Sequence, residues 1–155
     1  MMELILWRHA DATQSYPDHL RELSARGRLQ AKAMAQWLNP RLPEKTRILV
    51  SPAQRTLQTA ATLDRPFHIT QAASTATDVH RLLTEINWPY EGGTTMVVGH
   101  QPTLGEVVSF LLMGEASLWS FKKASVWWLT LRERHGQPMA VVRAVMSADL
   151  VEQEK

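Results

Sequence analysis

The chain contains no cysteine. That excludes disulfide frameworks, zinc ribbons and thiol nucleophiles together. Long apolar runs are missing too. No window approaches the roughly 20 residues needed to span a bilayer. The apolar start at Leu4–Trp7 stops at Arg8-His9, too short for the core of a secretory signal. A cytoplasmic protein without a membrane partner is the expectation. A dominant charge of one sign is also lacking: 17 Lys plus Arg face 15 Asp plus Glu, a formal net of +2, and Lys122-Lys123 is the only adjacent basic pair. Without a basic arm or an RNA-binding aromatic signature, no nucleic-acid partner is expected. Repeats, low-complexity tracts and linkers are absent, so a single domain over residues 1–155 is expected. What is present suits that size: 45% of the 155 residues are hydrophobic, enough for a substantial core.

The apolar segments alternate in type along the chain. Leu4-Ile5-Leu6-Trp7 reads as a buried strand that delivers Arg8 and His9. Residues 10–23 are polar and aperiodic; a loop of this length is either functional or a plain surface excursion. Ser24 is placed to cap a helix with Leu29, Ala33, Met34, Trp37 and Leu38 at helical spacing, ended by Asn39-Pro40. Arg47–Val50 is a second strand. Ser51-Pro52-Ala53-Gln54 has the form of a capping box opening a helix to about Leu63, with Arg55 in its first turn. Phe67–Ile69 reads as a short edge strand. Thr77 or Ser74 is a cap for a helix through Asp78, Leu82, Leu83 and Ile86, ended by Trp88-Pro89.

Thr95–Gly99 is a third buried strand, and it delivers His100. A helix with Leu104, Val107, Val108, Leu111 and Leu112 on one face then ends at Gly114. After a second long connection to Lys123, Ala124–Leu131 and Met139–Val145 read as strands joined by a turn at Arg134–Pro138, and Glu152–Lys155 as a frayed end. This alternation predicts an α/β fold: three layers, α/β/α, with a mostly parallel central sheet and an antiparallel edge.

Three strands repeat one design, an apolar run whose end carries charge or opens a helix. In a parallel sheet those ends share one edge, where ligands bind. Arg8, His9, Arg55 and His100 then converge beside two helix N-termini, which favour anions. Four such groups without a compact acidic cluster suit a phosphoryl dianion held by the guanidinium groups. A zinc site from His9, His100 and Asp11 is conceivable, but Arg8 and Arg55 would repel a cation, and no metal spacing appears. No metal or other cofactor is expected. Trp119 and Phe121 read as cover for the core rather than rim of the site.

Arg8-His9-Ala10, Ser51-Pro-Ala-Gln-Arg55-Thr-Leu-Gln-Thr59 and Val98-Gly99-His100-Gln101-Pro102, taken in order, resemble the histidine phosphatase superfamily, the phosphoglycerate-mutase-like group. The short length and the Arg8-His9-Ala10-Asp11 start resemble its smallest branch, the SixA-type phosphohistidine phosphatases. The resemblance implies a phosphoglycerate-mutase-like fold, with His9 as the nucleophile that becomes transiently phosphorylated. It implies that Arg8, Arg55 and a protonated His100 hold the phosphoryl oxygens, with no metal. Two departures stand out. Ala10 replaces the usual glycine, tolerable where that backbone keeps a negative φ. No carboxylate falls in an unmistakable general-acid motif: Asp78, Asp11 and Glu85 are candidates, Asp78 lies in the right region, and its plainer reading is a helix-start charge.

The missing acid favours phosphohistidine, whose imidazole leaves as a neutral ring. The expected substrate is therefore a phosphorylated protein such as a histidine phosphotransfer domain. The alternatives are a phosphatase of small phosphoesters on the same fold, and a phospholigand-binding module that has lost catalysis.

Overall fold

The computed structural model describes residues 2–151. Strand β1 (Met2–Arg8) lies deep in a six-stranded sheet, and Leu4, Ile5, Leu6 and Trp7 are all fully buried. Their unbroken hydrophobicity follows from that place, because both faces of the sheet are covered. Ile5 and Trp7 point to one face, Leu4 and Leu6 to the other. The first face packs on helix α1 (Ala25–Leu38), helix α2 (Gln54–Ala61) and a short α5 (Ala148–Val151). The second packs on α3 (Val79–Ile86) and α4 (Thr103–Met113). This is the three-layer α/β/α arrangement.

The remaining strands are β2 (Thr46–Val50), β3 (His68–Ile69), β4 (Gly93–Gly99), β5 (Val126–Arg134) and β6 (Gln137–Met146). Their spatial order is β3-β2-β4-β1-β5-β6. The first four run parallel; β5 and β6 are antiparallel and form one edge. Register sets the site. Arg8 pairs with Gly99 and Val50 with Val98, so His9, Ser51 and His100 leave the sheet in one row at its carboxyl edge. Among the described residues, no helix is long and apolar enough to cross a membrane.

Several local expectations are corrected. Ser24 caps α1, its hydroxyl accepting the Gly27 N–H, but the buried face is Gly27, Gln30, Ala31, Met34, Ala35 and Leu38, while Leu29 is 56% exposed. The face is rotated because Gly27 and Gln30 pack on the chain at Asp11, a contact far away in sequence. The Ser51–Gln54 capping box does not form. Ala53 is the cap, without a side-chain bond, and α2 starts at Gln54; the Ser51 hydroxyl accepts the Ala53 N–H at 3.3 Å and lies 2.7 Å from His100 Nε2.

Neither Thr77 nor Ser74 caps α3; Asp78 does, and left-handed Asn87 ends the helix before Trp88. The β5–β6 turn is shorter than expected. Both strands run on to a two-residue turn, His135-Gly136, with φ of 52° and 76°, the pairing a tight hairpin requires. The frayed end expected at Glu152–Lys155 lies outside the described residues.

Two glycines are fixed by close approach. A Cβ on Gly27 would stand 1.9 Å from the Asp11 carbonyl oxygen, and one on Gly105 would stand 1.8 Å from that of Trp119. Alanine in place of Gly27 would raise helix propensity by about 1 kcal/mol. The clash reverses the sign: Gly27→Ala is expected to lose about 2 kcal/mol of stability. Thermal melting should register a fall of about 4–8 °C.

Candidate active site

The backbone of His9 is tied on both sides, its N–H donating to the Gly99 carbonyl at 3.1 Å and its carbonyl accepting the Ala124 N–H at 3.0 Å. The ring is fixed in turn. Nδ1 lies 2.7 Å from the carbonyl oxygen of Ala10. A carbonyl only accepts, so Nδ1 carries the proton and Nε2 keeps its lone pair. Ala10 N–H donates to the Thr59 hydroxyl at 3.1 Å. The non-glycine residues with positive φ are Asp64, Asn87, Ala124 and His135; Ala10 is not among them. Alanine therefore sits there without backbone strain.

His100 is buried, with its ring centroid 5.3 Å from that of His9 and Nε2 2.7 Å from the Ser51 hydroxyl. Arg55 is 4% exposed. Its Nη1 donates to the Asp18 carbonyl at 2.9 Å and its Nη2 to the Asp18 carboxylate at 3.1 Å. Arg8 Nη1 donates to the Phe121 carbonyl at 2.6 Å. The Nε of each arginine is buried without a partner among the described residues. Buried donors in a folded protein are nearly always paired, so two unpaired charged ones mark a place for an anion.

Burial pushes the His9 pKa down to about 4, helped by the charges of Arg55, Arg8 and Arg21 and opposed by the bond to Ala10. Burial likewise pushes His100 down to about 3, with His9, Arg55 and Arg8 adding to the effect and Asp18 opposing it. Both rings are neutral at pH 7. For His9 that is the state a nucleophile needs. For His100, burial favours the neutral ring, and a bound dianion would draw its pKa upward, towards the protonated form that the resemblance implies.

The structure brings Arg8, His9, Arg55 and His100 together, and leaves the other candidates elsewhere. Asp78 is exposed, and its carboxylate accepts the Arg81 N–H at 2.8 Å as the cap of α3. Among the described residues no hydrogen bond or ion pair joins it to the four. Asp11 turns outward, pairing with Lys123 at 2.7 Å and accepting the Ser24 hydroxyl at 2.6 Å. Glu85 is exposed and accepts from Thr70. Phe121 stacks on Trp127, and Trp119 packs on the same cluster, so both cover the core.

Two residues at the site escaped the sequence. Asp18 bridges Arg55 and Arg21, at 3.1 and 3.2 Å. Burial pushes its carboxyl up, but the bonds from Arg21 and Arg55 outweigh that and hold it below the usual range. Both lie in the aperiodic 10–23 loop, where length alone was a signal.

The lowered histidine values have a direct readout. In the ligand-free protein, NMR titration should show His9 charging near pH 4 and His100 near pH 3; inflections near 6.5 for both would contradict the burial of the two rings. Because both folded values lie below the unfolded 6.5, the unfolded chain binds more protons in between. The histidines' contribution to stability should therefore fall as pH drops from 6.5 to about 4 and level off below about 3, while carboxylates held below their usual range, Asp18 among them, go on losing theirs as they protonate.

The sequence profile of the histidine phosphatase superfamily (branch 1) matches residues 4–89. No curated protein matches. Among solved structures, the protein histidine phosphatase SixA complexed with tungstate superposes with a TM-score of 0.83 at 25% identity, over 96% of this chain and 99% of that one. A candidate phosphohistidine phosphatase SixA from Nakamurella multipartitia gives 0.79 at 27% identity, over 94% and 95%. A phosphoserine phosphatase from Entamoeba histolytica, at 19% identity and 0.69 over 95% and 98%, shares the fold. The profile spans more than half of the chain, and the chain belongs to the histidine phosphatase superfamily, as a SixA-type phosphatase.

Proposed function

We propose that this phosphatase hydrolyses phosphohistidine on a partner protein, through a covalent phosphoryl group on His9 Nε2. The observation that carries the reading is the state of the protons around the pocket. His9 holds its one ring proton on Nδ1 against Ala10. Asp18, the carboxylate bonded to Arg55, is kept ionised by two arginines. Neither His9 nor Asp18, so placed, offers a proton to an alkoxide leaving group at neutral pH.

A phosphohistidine substrate does not need one. With its far ring nitrogen protonated, the imidazole leaves as a neutral ring when its P–N bond breaks and the His9 Nε2–P bond forms. The second step has the same form: water attacks phosphorus, the Nε2–P bond breaks, and His9 returns neutral with Nδ1–H still on Ala10. The water's proton passes to solvent or to the released phosphate. Arg8 and Arg55 turn their free Nε–H groups to the equatorial oxygens, and His100 adds a donor when the dianion raises its pKa. The guanidinium pair supplies the positive charge a metal would otherwise bring.

Three measurements test this. Brief mixing with a phosphorylated histidine phosphotransfer domain should leave an acid-labile phosphoryl group on His9 and release inorganic phosphate; His9→Ala should do neither. Arg55→Ala and His100→Ala are each expected to lower kcat by about 10²–10³. Asp78→Asn should leave turnover unchanged. Fast cleavage of an alkyl phosphate, slowed strongly by Asp78→Asn while an activated aryl phosphate is spared, would overturn the reading in favour of small phosphoesters.

A further inference from the structure

The pocket has two rims of different charge. On one side, Asp18, His19, Ser51, Gln71, Ser74 and Thr75 are among the residues around a hollow of about 360 Å³ whose lining includes no lysine or arginine. On the other, a groove of about 580 Å³ opens between the first turn of α1, the Phe121–Lys123 segment and α5. Its walls carry Arg26, Lys122 and Lys123, against Asp11 and Asp149. Lys123 is neutralised by Asp11, whereas Arg26 and Lys122 have no ion pair among the described residues. The groove shares Arg8 with the phosphoryl site: Arg8 lines the groove, and its charge also bears on His9 and His100.

A protein presenting a phosphorylated side chain to so small an enzyme must lay its flanking chain across a rim. Unpaired cations beside a cleft raise the local concentration of anionic partners and fix their orientation. We propose that the Arg26–Lys122 groove is the docking site for an acidic segment of the phosphorylated protein, lying beside the phosphoryl group and oriented away from the Asp18 rim. The choice of a protein as occupant rests on the phosphohistidine reading above. The polarity of the two rims does not.

The test uses two peptides of equal length, each with a central phosphohistidine, one flanked by glutamates and the other by lysines. Free phosphohistidine is the control. The wild-type enzyme should show a KM about fivefold lower for the glutamate peptide, a gap that closes as salt rises. The double variant Arg26→Ala, Lys122→Ala should abolish the gap while leaving free phosphohistidine turnover unchanged. Equal KM values in the wild type, or a gap that survives the double variant, would overturn the proposal.

If neither peptide is hydrolysed but an aryl phosphate is, the phosphohistidine reading fails, and the peptides are compared as competitive inhibitors of that ester. There too the glutamate peptide must inhibit more strongly, through Arg26 and Lys122, or the groove proposal falls. Equal inhibition by a short DNA duplex would mark a nonspecific polyanion surface and overturn it as well.

Discussion

Two guanidinium groups flank the pocket, each with a buried Nε–H that no atom of the described residues accepts. Most of the site follows from that arrangement. Leaving charged donors unpaired costs stability, and a fold keeps them where an anion will supply the missing bonds. Burial drives protons off His9 and His100, and the same cations add to the effect, so the groups that would bind an anion also help to prepare the nucleophile.

Arg55 is held in place by the 10–23 loop, which carries a single 3-10 turn at Asp18–Leu20. Asp18 fixes two nitrogens of Arg55 and leaves Nε free, so the guanidinium plane is set before any ligand arrives. Asp11 holds the loop's root to Ser24 at the start of α1 and to Lys123. Gly27 permits that closeness by having no side chain. A ligand bound between Arg8 and Arg55 would feel the packing of α1 although α1 supplies none of the four central residues.

Much of the fold was legible because local and long-range signals agree there. β1 and β4 are apolar on both faces since both faces are covered, and such runs stand out in any window. Arg8-His9 and His100 could be placed at strand ends, and Arg55 in the first turn of the helix after a strand, from their positions alone. Legibility failed where a side chain's partner lies far along the chain. Ser51 has the form of a cap but bonds His100, 49 residues away. Leu29 fits a helical stripe but is exposed, because the contact of Gly27 and Gln30 with Asp11 rotates α1. Asp18 and Arg21 have no periodic context that would single them out.

The sequence by itself determined the order of strands and helices and the identity of the four central residues, because hydrophobic periodicity and residue chemistry are local properties. The tertiary structure alone decided which nitrogen of His9 is free, that both histidines are neutral, and that Asp18 rather than Asp78 reaches Arg55. Those outcomes depend on burial and on contacts between distant segments, and a linear pattern encodes neither.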